Sequence, residues 1–339
     1  MKKTHLLAAV VSIALPVSVF AVPAPVFVKS INVGASLTAP SGIAADPATG
    51  DLYVLGFTNR ALAKVTNPLG TEVVSTLVAA IPPSPLTGSW GSGRGPQGIA
   101  IVGTTLYVVG DDGTNGSLVA YNTGGTQLNS ISSTGALGTE GRSCSIGPDL
   151  WGGKVLIGRA ASSPILCADP FDTGSALAGN SISGTGSTAA VRGAVAVGND
   201  VYSYASTATN NSISKFTGGT AGSWVGYTGT ASWNTLTGTN GSGAFVGIGK
   251  YSDGATTWIV AINPGAPGGI SFFNTTTNAN DLTFQDATNL PTGGPKGLAF
   301  ASIGGTDYMF VTNIDASPTP NTVRVYSLGP SSVNDWSMY

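Results

Sequence analysis

The chain has 339 residues, 42% of them hydrophobic and only 9% charged, with 49 glycines and a formal net charge of −2. A charge this mild and dispersed excludes a nucleic-acid or anionic-membrane partner held by electrostatics, and the hydrophobic content excludes a disordered chain. The single histidine, His5, falls in the leader described next, which excludes Ser-His-Asp triads, Cys-His dyads and His-ligated zinc or haem from the rest of the chain.

In chain order, Lys2 and Lys3 precede an apolar run from Leu6 to Val19 and a small-residue site at Val19-Phe20-Ala21. This pattern predicts a cleaved signal peptide over 1–21. The run is too short to span about 30 Å of hydrocarbon, which takes about 20 residues. Its removal lowers Lys plus Arg from 14 to 12 against 16 acids, leaving a net charge of about −4. The expectation is a bacterial-type protein, secreted or periplasmic, with residues 22–339 forming one monomeric domain and no membrane insertion.

Val26-Phe27-Val28-Lys29-Ser30-Ile31-Asn32-Val33 alternates as a half-buried strand does. Beyond it, Gly-led apolar landmarks recur at Gly42-Ile43-Ala44, Gly98-Ile99-Ala100, Ser143-Cys144-Ser145, Gly193-Ala194-Val195, Gly247-Ile248-Gly249 and Gly297-Leu298-Ala299. Their spacings are 56, 45, 50, 54 and 50 residues. After each landmark comes a second β-type run, such as Leu52–Leu55, Leu106–Val109 or Tyr308–Val311, and then a third, such as Ala61–Val65, Ser117–Tyr121 or Thr322–Tyr326. Weaker fourth runs follow at Glu72–Val78, Gln127–Ile131, Trp224–Tyr227 and Leu282–Gln285. The third unit offers none within Phe171–Ile182, and the sixth ends before one. A period near fifty with several short strands per unit predicts an all-β, six-bladed β-propeller. The N-terminal run is expected to supply the missing outer strand of the sixth blade and so close the ring.

Pro40-Ser41-Gly42-Ile43-Ala44-Ala45-Asp46 with Thr49-Gly50-Asp51-Leu52-Tyr53-Val54 resembles an NHL or gluconolactonase-type repeat. Phe310-Val311-Thr312-Asn313 with Asn321-Thr322-Val323-Arg324-Val325-Tyr326 resembles the related YVTN repeat. The gluconolactonase resemblance implies a divalent metal in the central channel, held by a Glu at the first inner strand with Asn and Asp ligands. Ser41 stands where that Glu is expected, and the chain's glutamates, Glu72 and Glu140, fall elsewhere.

In a propeller the residue before each inner strand lines the channel mouth; here these are Ser41, Gln97, Arg142, Arg192, Val246 and Lys296. Arg142, Arg192 and Lys296 form a basic cluster suited to a carboxylate, sulfate or phosphate, or else pair with Asp111, Asp112, Asp315 or Glu140. The loops between second and third strands reach the same rim and carry Asn59-Arg60, Asp111-Asp112, Arg159, Asn210-Asn211, Asn263 and Asn313 with Asp315. Asp111-Asp112-Gly113 lacks the full spacing of a calcium loop and reads as an Asx-type turn. Two long connections hold Trp90 and Trp233, aromatic candidates for stacking on a sugar. Cys144 and Cys167 are the only cysteines. Export favours a bridge between them, while two intervening strand spacings, about 9.6 Å, oppose it.

The expected function is a binding or interaction module for a small anionic or carbohydrate ligand, or for another surface protein, at this rim. The ligand-binding candidates are Arg142, Arg192, Lys296, Trp90, Trp233, Asp111, Asp112 and Asn313. The alternative is a propeller enzyme of lactonase, lyase or sugar-dehydrogenase type, using carboxylates with a metal or quinone cofactor and no histidine.

Overall fold

The computed structural model describes residues 22–82, 94–111, 116–132, 150–158, 165–168, 181–182, 191–206, 211–236, 247–263, 269–314 and 320–330. Strand β1 (Val26–Asn32) opens the chain. The first sheet runs β2 (Pro40–Ala45), β3 (Leu52–Gly56), β4 (Leu62–Thr66) and β5 (Val73–Val78), each antiparallel to the one before. The second repeats this with β6 (Gly95–Val102), β7 (Thr105–Asp111), β8 (Gly116–Asn122) and β9 (Gln127–Ser132). A third, of three strands, contains β10 (Val155–Gly158), β11 (Ile165–Ala168) and β12 (Ser181–Ile182). The fourth has β13 (Val191–Val197), β14 (Asp200–Ser206), β15 (Asn211–Thr217) and β16 (Thr228–Thr235), and the fifth β17 (Ile248–Ser252), β18 (Thr257–Asn263), β19 (Gly269–Asn274) and β20 (Asn280–Gln285). The last consists of β21 (Pro295–Ile303), β22 (Thr306–Asn313) and β23 (Thr322–Pro330), with β1 lying antiparallel outside β23.

The molecule is an all-β propeller, and no helix occurs among the described residues. The expectation of six four-stranded blades is met by five. The remaining sheet has its second, third and outer strands, while Ser143-Cys144-Ser145, the expected inner strand, lies outside the described residues. Two outer strands differ from expectation. β12 supplies a short one at Ser181–Ile182, and the fourth sheet ends on Thr228–Thr235 rather than Trp224–Tyr227. Trp224 and Tyr227 instead stack on Trp151, with ring centroids 4.5 and 5.5 Å away. The burial of Trp151 and Trp224 takes that segment off the outer edge.

The second and third strands read as continuous apolar runs because both of their faces are covered, successive side chains pointing to opposite sides. Leu52 and Val54 of β3 join a core with Phe310, Val323 and Val325 of the last sheet. Tyr53 and Leu55, between them, join one with Ile99, Leu106 and Val108 of the second sheet. The same division recurs onward. Tyr107 and Val109 meet Val155 and Ile157. Leu156 and Trp151 meet Val201 and Ala205, and Tyr202 and Tyr204 meet the fifth sheet's core. The third sheet contributes the fewest of these core side chains among the described residues.

Polar bonds stitch neighbouring sheets at their buried edges. At the seam between the last sheet and the first, Gly297 N–H donates to Thr312 Oγ1 and Thr312 Oγ1 donates to the Ser41 carbonyl, both at 2.7 Å. Ser41 Oγ donates on to the Pro96 carbonyl of the second sheet at 3.0 Å. Elsewhere Tyr204 Oη donates to the Ile262 carbonyl at 3.1 Å and Tyr251 Oη to Asp307 Oδ2 at 3.2 Å. On the outside, β1 is held by Arg324 Nη1 donating to Ser30 Oγ and by the Lys29–Glu72 ion pair. The Lys29 ammonium keeps the Glu72 carboxyl below its ordinary pKa.

Two expectations test this scheme. Thr312→Val, which keeps the shape but strands a buried carbonyl and N–H, is expected to cost about 1–3 kcal/mol in urea unfolding. Burial raises the pKa of Tyr121 to about 12 and also raises those of Tyr202, Tyr251 and Tyr326. The unfolded chain releases these protons near pH 10 and the folded one higher, so this contribution is complete below pH 10 and is lost as pH rises through the folded values. Stability measured by denaturant midpoint should fall from about pH 10 upward, with phenolate absorbance appearing together with unfolding.

Candidate functional site

The site is built by the way the inner strands begin. In β2 the pairing with β3 jumps from Pro40 to Ile43, and in β6 the pairing with β7 jumps from Pro96 to Gly98. In β13 it jumps from Val191 to Gly193, and in β21 from Pro295 to Leu298. Each jump is a β-bulge, a device that turns a side chain away from the regular pleat. The residues inside the jumps are Ser41 with Gly42, Gln97, Arg192, and Lys296 with Gly297; Ser41, Gln97, Arg192 and Lys296 are among those that sequence spacing assigned to the channel mouth. A proline precedes three of them, at Pro40, Pro96 and Pro295, where the ladder is interrupted and needs no N–H donor.

A glycine follows each bulged residue or stands beside it, because adjacent inner strands touch there backbone to backbone. A methyl group on Gly297 would lie 2.4 Å from the Ser41 carbonyl oxygen, and one on Gly42 would lie 2.7 Å from that of Gln97. On Gly247 it would be 3.0 Å from the Lys296 carbonyl. The landmark glycines found in the sequence are therefore the points where one blade meets the next near the axis.

Alternation of strand direction brings three kinds of position to this end: inner-strand starts, second-strand ends and third-strand starts. Ser41, Gln97, Lys296, Asn263, Asn313 and Thr322 are all buried here. Lys296 is 8% exposed. Asn313 closes β22 opposite Pro295 and Thr322, and Asp111 closes β7 opposite Gly95 and Gly116.

Arg60 stands on the rim loop between β3 and β4, half-buried, with its Nε donating to the Arg94 carbonyl at 3.4 Å. Its φ of +55° is a left-handed conformation that side-chain-bearing residues adopt at a cost of about 1–2 kcal/mol. Ala39 and Asn321, at the same end of the first and last sheets, share that conformation, with φ of +54° and +52°.

Charge is divided between the two ends of the described molecule. Among the described residues, the strand ends and rim loops of the mouth end carry Arg60, Arg94, Arg192, Lys296, Asp111 and Asp286. The carboxylate of Asp286 is committed to Tyr326 Oη, Asn289 Nδ2 and the N–H groups of Thr288 and Asn289. At the opposite end lie Asp46, Asp51, Glu72, Asp200, Asp253, Asp281 and Asp307. Several of these are spent structurally: Lys64 pairs with Asp51 at 2.8 Å and Lys215 with Asp200 at 3.1 Å, each ammonium resting over a tyrosine ring.

Of the expected aromatic pair, Trp233 lies among the described residues. Trp233 lies in β16, the outermost strand of its sheet, edge-on to Tyr202 at 4.9 Å, with its indole N–H donating to Asn278 Oδ1 at 2.7 Å. The shift of that outer strand to Thr228–Thr235 carries Trp233 out of the loop and away from the axis. Trp90, Arg142, Asp112 and Cys144 lie outside the described residues, and Cys167 is in β11 opposite Leu156. Thr312, which ties the seam, was missed as a site residue although it sits inside Phe310-Val311-Thr312-Asn313. Arg94 was missed because its glycine-rich surroundings read only as a loop. Among the described residues there is no group of three or more His, Cys, Asp or Glu placed to hold a metal.

No protein-family model and no curated protein sequence matches the chain. Solved structures do. A PQQ-bound aldose sugar dehydrogenase from Streptomyces coelicolor is similar with a TM-score of 0.59 and 15% identity, over 91% of this chain and 98% of that one. A gluconolactonase from Xanthomonas campestris is similar with a TM-score of 0.56 and 12% identity, over 91% and 97%. A calcium-binding regucalcin from Agrobacterium tumefaciens gives 0.53 and 13%, over 92% and 98%. At these identities the likeness is one of fold: the chain has the propeller architecture that these proteins share.

Proposed function

We propose that the protein is an exported propeller enzyme of sugar chemistry, of the dehydrogenase kind, with its reaction centre at the basic end of the channel. The observation that carries this reading is the set of register shifts at the starts of four inner strands, which place Ser41, Gln97, Arg192 and Lys296 at the same end of their sheets. In this reading the six sheets form one ring, with β1 as the closing strand and a small anionic or carbohydrate ligand entering at the mouth. Support for the ring comes from the cores shared between successive sheets. The fold-level neighbours include a sugar dehydrogenase and a gluconolactonase, which favours an enzyme over a module that only binds.

The residues present suit one cofactor type better than the other. A divalent metal does not fit the described mouth: Ser41 stands where the Glu ligand is expected, and its hydroxyl proton is donated to Pro96. A quinone carrying carboxylates is the cofactor this reading favours, with Lys296 at the start of β21 and Gln97 at the start of β6 as the residues that would meet it. Bound there, such a quinone would supply the two-electron acceptor for oxidation of a sugar hydroxyl. The protein's own part is to orient the sugar by hydrogen bonds and to shield the site from water.

Dye-linked oxidation of aldoses by the protein reconstituted with PQQ tests the reading. Activity is expected with PQQ and not without it, and unaffected by chelators once the quinone is bound. Lactone hydrolysis abolished by chelation, with no dye reduction, would favour the metal-dependent lactonase type instead. Binding without either activity would return the protein to the binding-module reading.

A further inference from the structure

We infer that proteolytic removal of the leader after Ala21 creates a buried ion pair, the new α-ammonium of Val22 seating on the carboxylate of Asp307. Processing is then a maturation step that fastens the N-terminal strand to the last sheet. Asp307 stands at the start of β22, away from the strand ends that form the mouth, so the pair is independent of the sugar-dehydrogenase reading.

Asp307 is a buried carboxylate without a cation. It is 1% exposed. Its Oδ2 accepts from Tyr251 Oη at 3.2 Å, while Oδ1, buried as well, meets no hydrogen-bond donor among the described residues. No ion pair among the described residues includes it. A carboxylate taken out of water is strongly unfavourable unless a cation faces it and its oxygens are bonded. Tyr251 supplies one neutral donor, which leaves the charge and the second oxygen unanswered.

The start of the mature chain lies beside this carboxylate. Val22 is 6% exposed and shares a hydrophobic core with Tyr251, Met309 and Leu328. Gly329 stands opposite Asp307 in the β22–β23 ladder, where facing Cβ positions are about 5 Å apart. A methyl group on Gly329 would lie 3.9 Å from Pro23. Val22 is one Cα step, about 3.8 Å, from Pro23. Pro23 and Pro25 also restrict the residues before them, Val22 and Ala24, to extended conformations. The terminus therefore has little freedom to lose on seating.

Cleavage makes the missing charge. In the unprocessed chain the Val22 nitrogen belongs to a peptide amide and is neutral. Hydrolysis adds water across the Ala21–Val22 bond, so that Ala21 departs as a carboxylate and Val22 keeps the nitrogen as an ammonium. The pKa of such a group is ordinarily about 8, which leaves it mostly charged at neutral pH. The cation appears on the segment that leads directly into β1, the strand lying outside β23.

The test uses the chain expressed with its leader in a bacterium and recovered after export. Mass spectrometry should find Val22 as the first residue, and a different first residue overturns the inference. Its α-amine, labelled at pH 7 with an acylating reagent and read at the N-terminal peptide, should react about tenfold or more slowly than that of the Asp307→Asn protein. Equal rates overturn the inference. Asp253→Asn, on the turn between β17 and β18, should leave the rate unchanged. A protein made with one extra Gly ahead of Val22 moves the ammonium and keeps every side chain. Its melting midpoint should fall by about 3 °C or more. Asp307→Asn should add little to that loss, because groups in contact are non-additive; fully additive losses overturn the inference. If Asp307→Asn does not fold, the extra-Gly protein is compared with the native one alone, and an unchanged midpoint and labelling rate overturn the inference. Sugar oxidation is read in none of these measurements, so their failure leaves the dehydrogenase reading untouched.

Discussion

The close approach of inner strands is the constraint on which the rest of the molecule depends. Where Gly42 and Gly297 face the carbonyls of the next blade there is no room for a Cβ, and at Gly247 the space is tight. That contact fixes how near the blades stand at the axis. It thereby sets the distance over which Leu52 and Val54 can reach one neighbour while Tyr53 and Leu55 reach the other. Packing of this density leaves no tolerance for a larger residue at the seam, and burying both strand faces leaves little for a polar one.

The same geometry makes the site. Strands that meet backbone to backbone cannot stay in register with their own hairpin partners, and the bulges at Pro40–Ile43, Pro96–Gly98, Val191–Gly193 and Pro295–Leu298 absorb the mismatch. Each bulge frees one side chain from the pleat. Stability and presentation of the mouth residues are thus one device, and Thr312 shows the link directly: it lies in a second strand yet bonds both the bulge of its own sheet and the backbone of the first.

Much of this was legible along the chain. The Gly-led period marked the inner strands of five sheets, and in four of them the residue before the landmark, Ser41, Gln97, Arg192 or Lys296, falls at a register shift, because a repeat fold places equivalent residues equivalently. Outer strands were harder to read. With one face solvated they are short and rich in Ser, Thr and Asn, so their apolar signal is weak, and the aromatic Trp224–Tyr227 drew the assignment away from Thr228–Thr235. Trp233 was misplaced with it, since a shift of a few residues converts a loop aromatic into one packed against Tyr202 and Phe273.

By itself the amino-acid sequence determined the all-β propeller class, the repeat length and the pairing partner of the N-terminal strand. These follow from local pattern and composition, which need no knowledge of distance. The tertiary structure alone decided that Ser41 is a stitch between sheets, that Lys296 is a buried residue, and that Lys64 and Lys215 pair with Asp51 and Asp200. Each of these depends on which residues, far apart in the chain, are brought within a few ångströms, and spacing along the chain carries no record of where a hydroxyl points or which end of a strand a charge occupies.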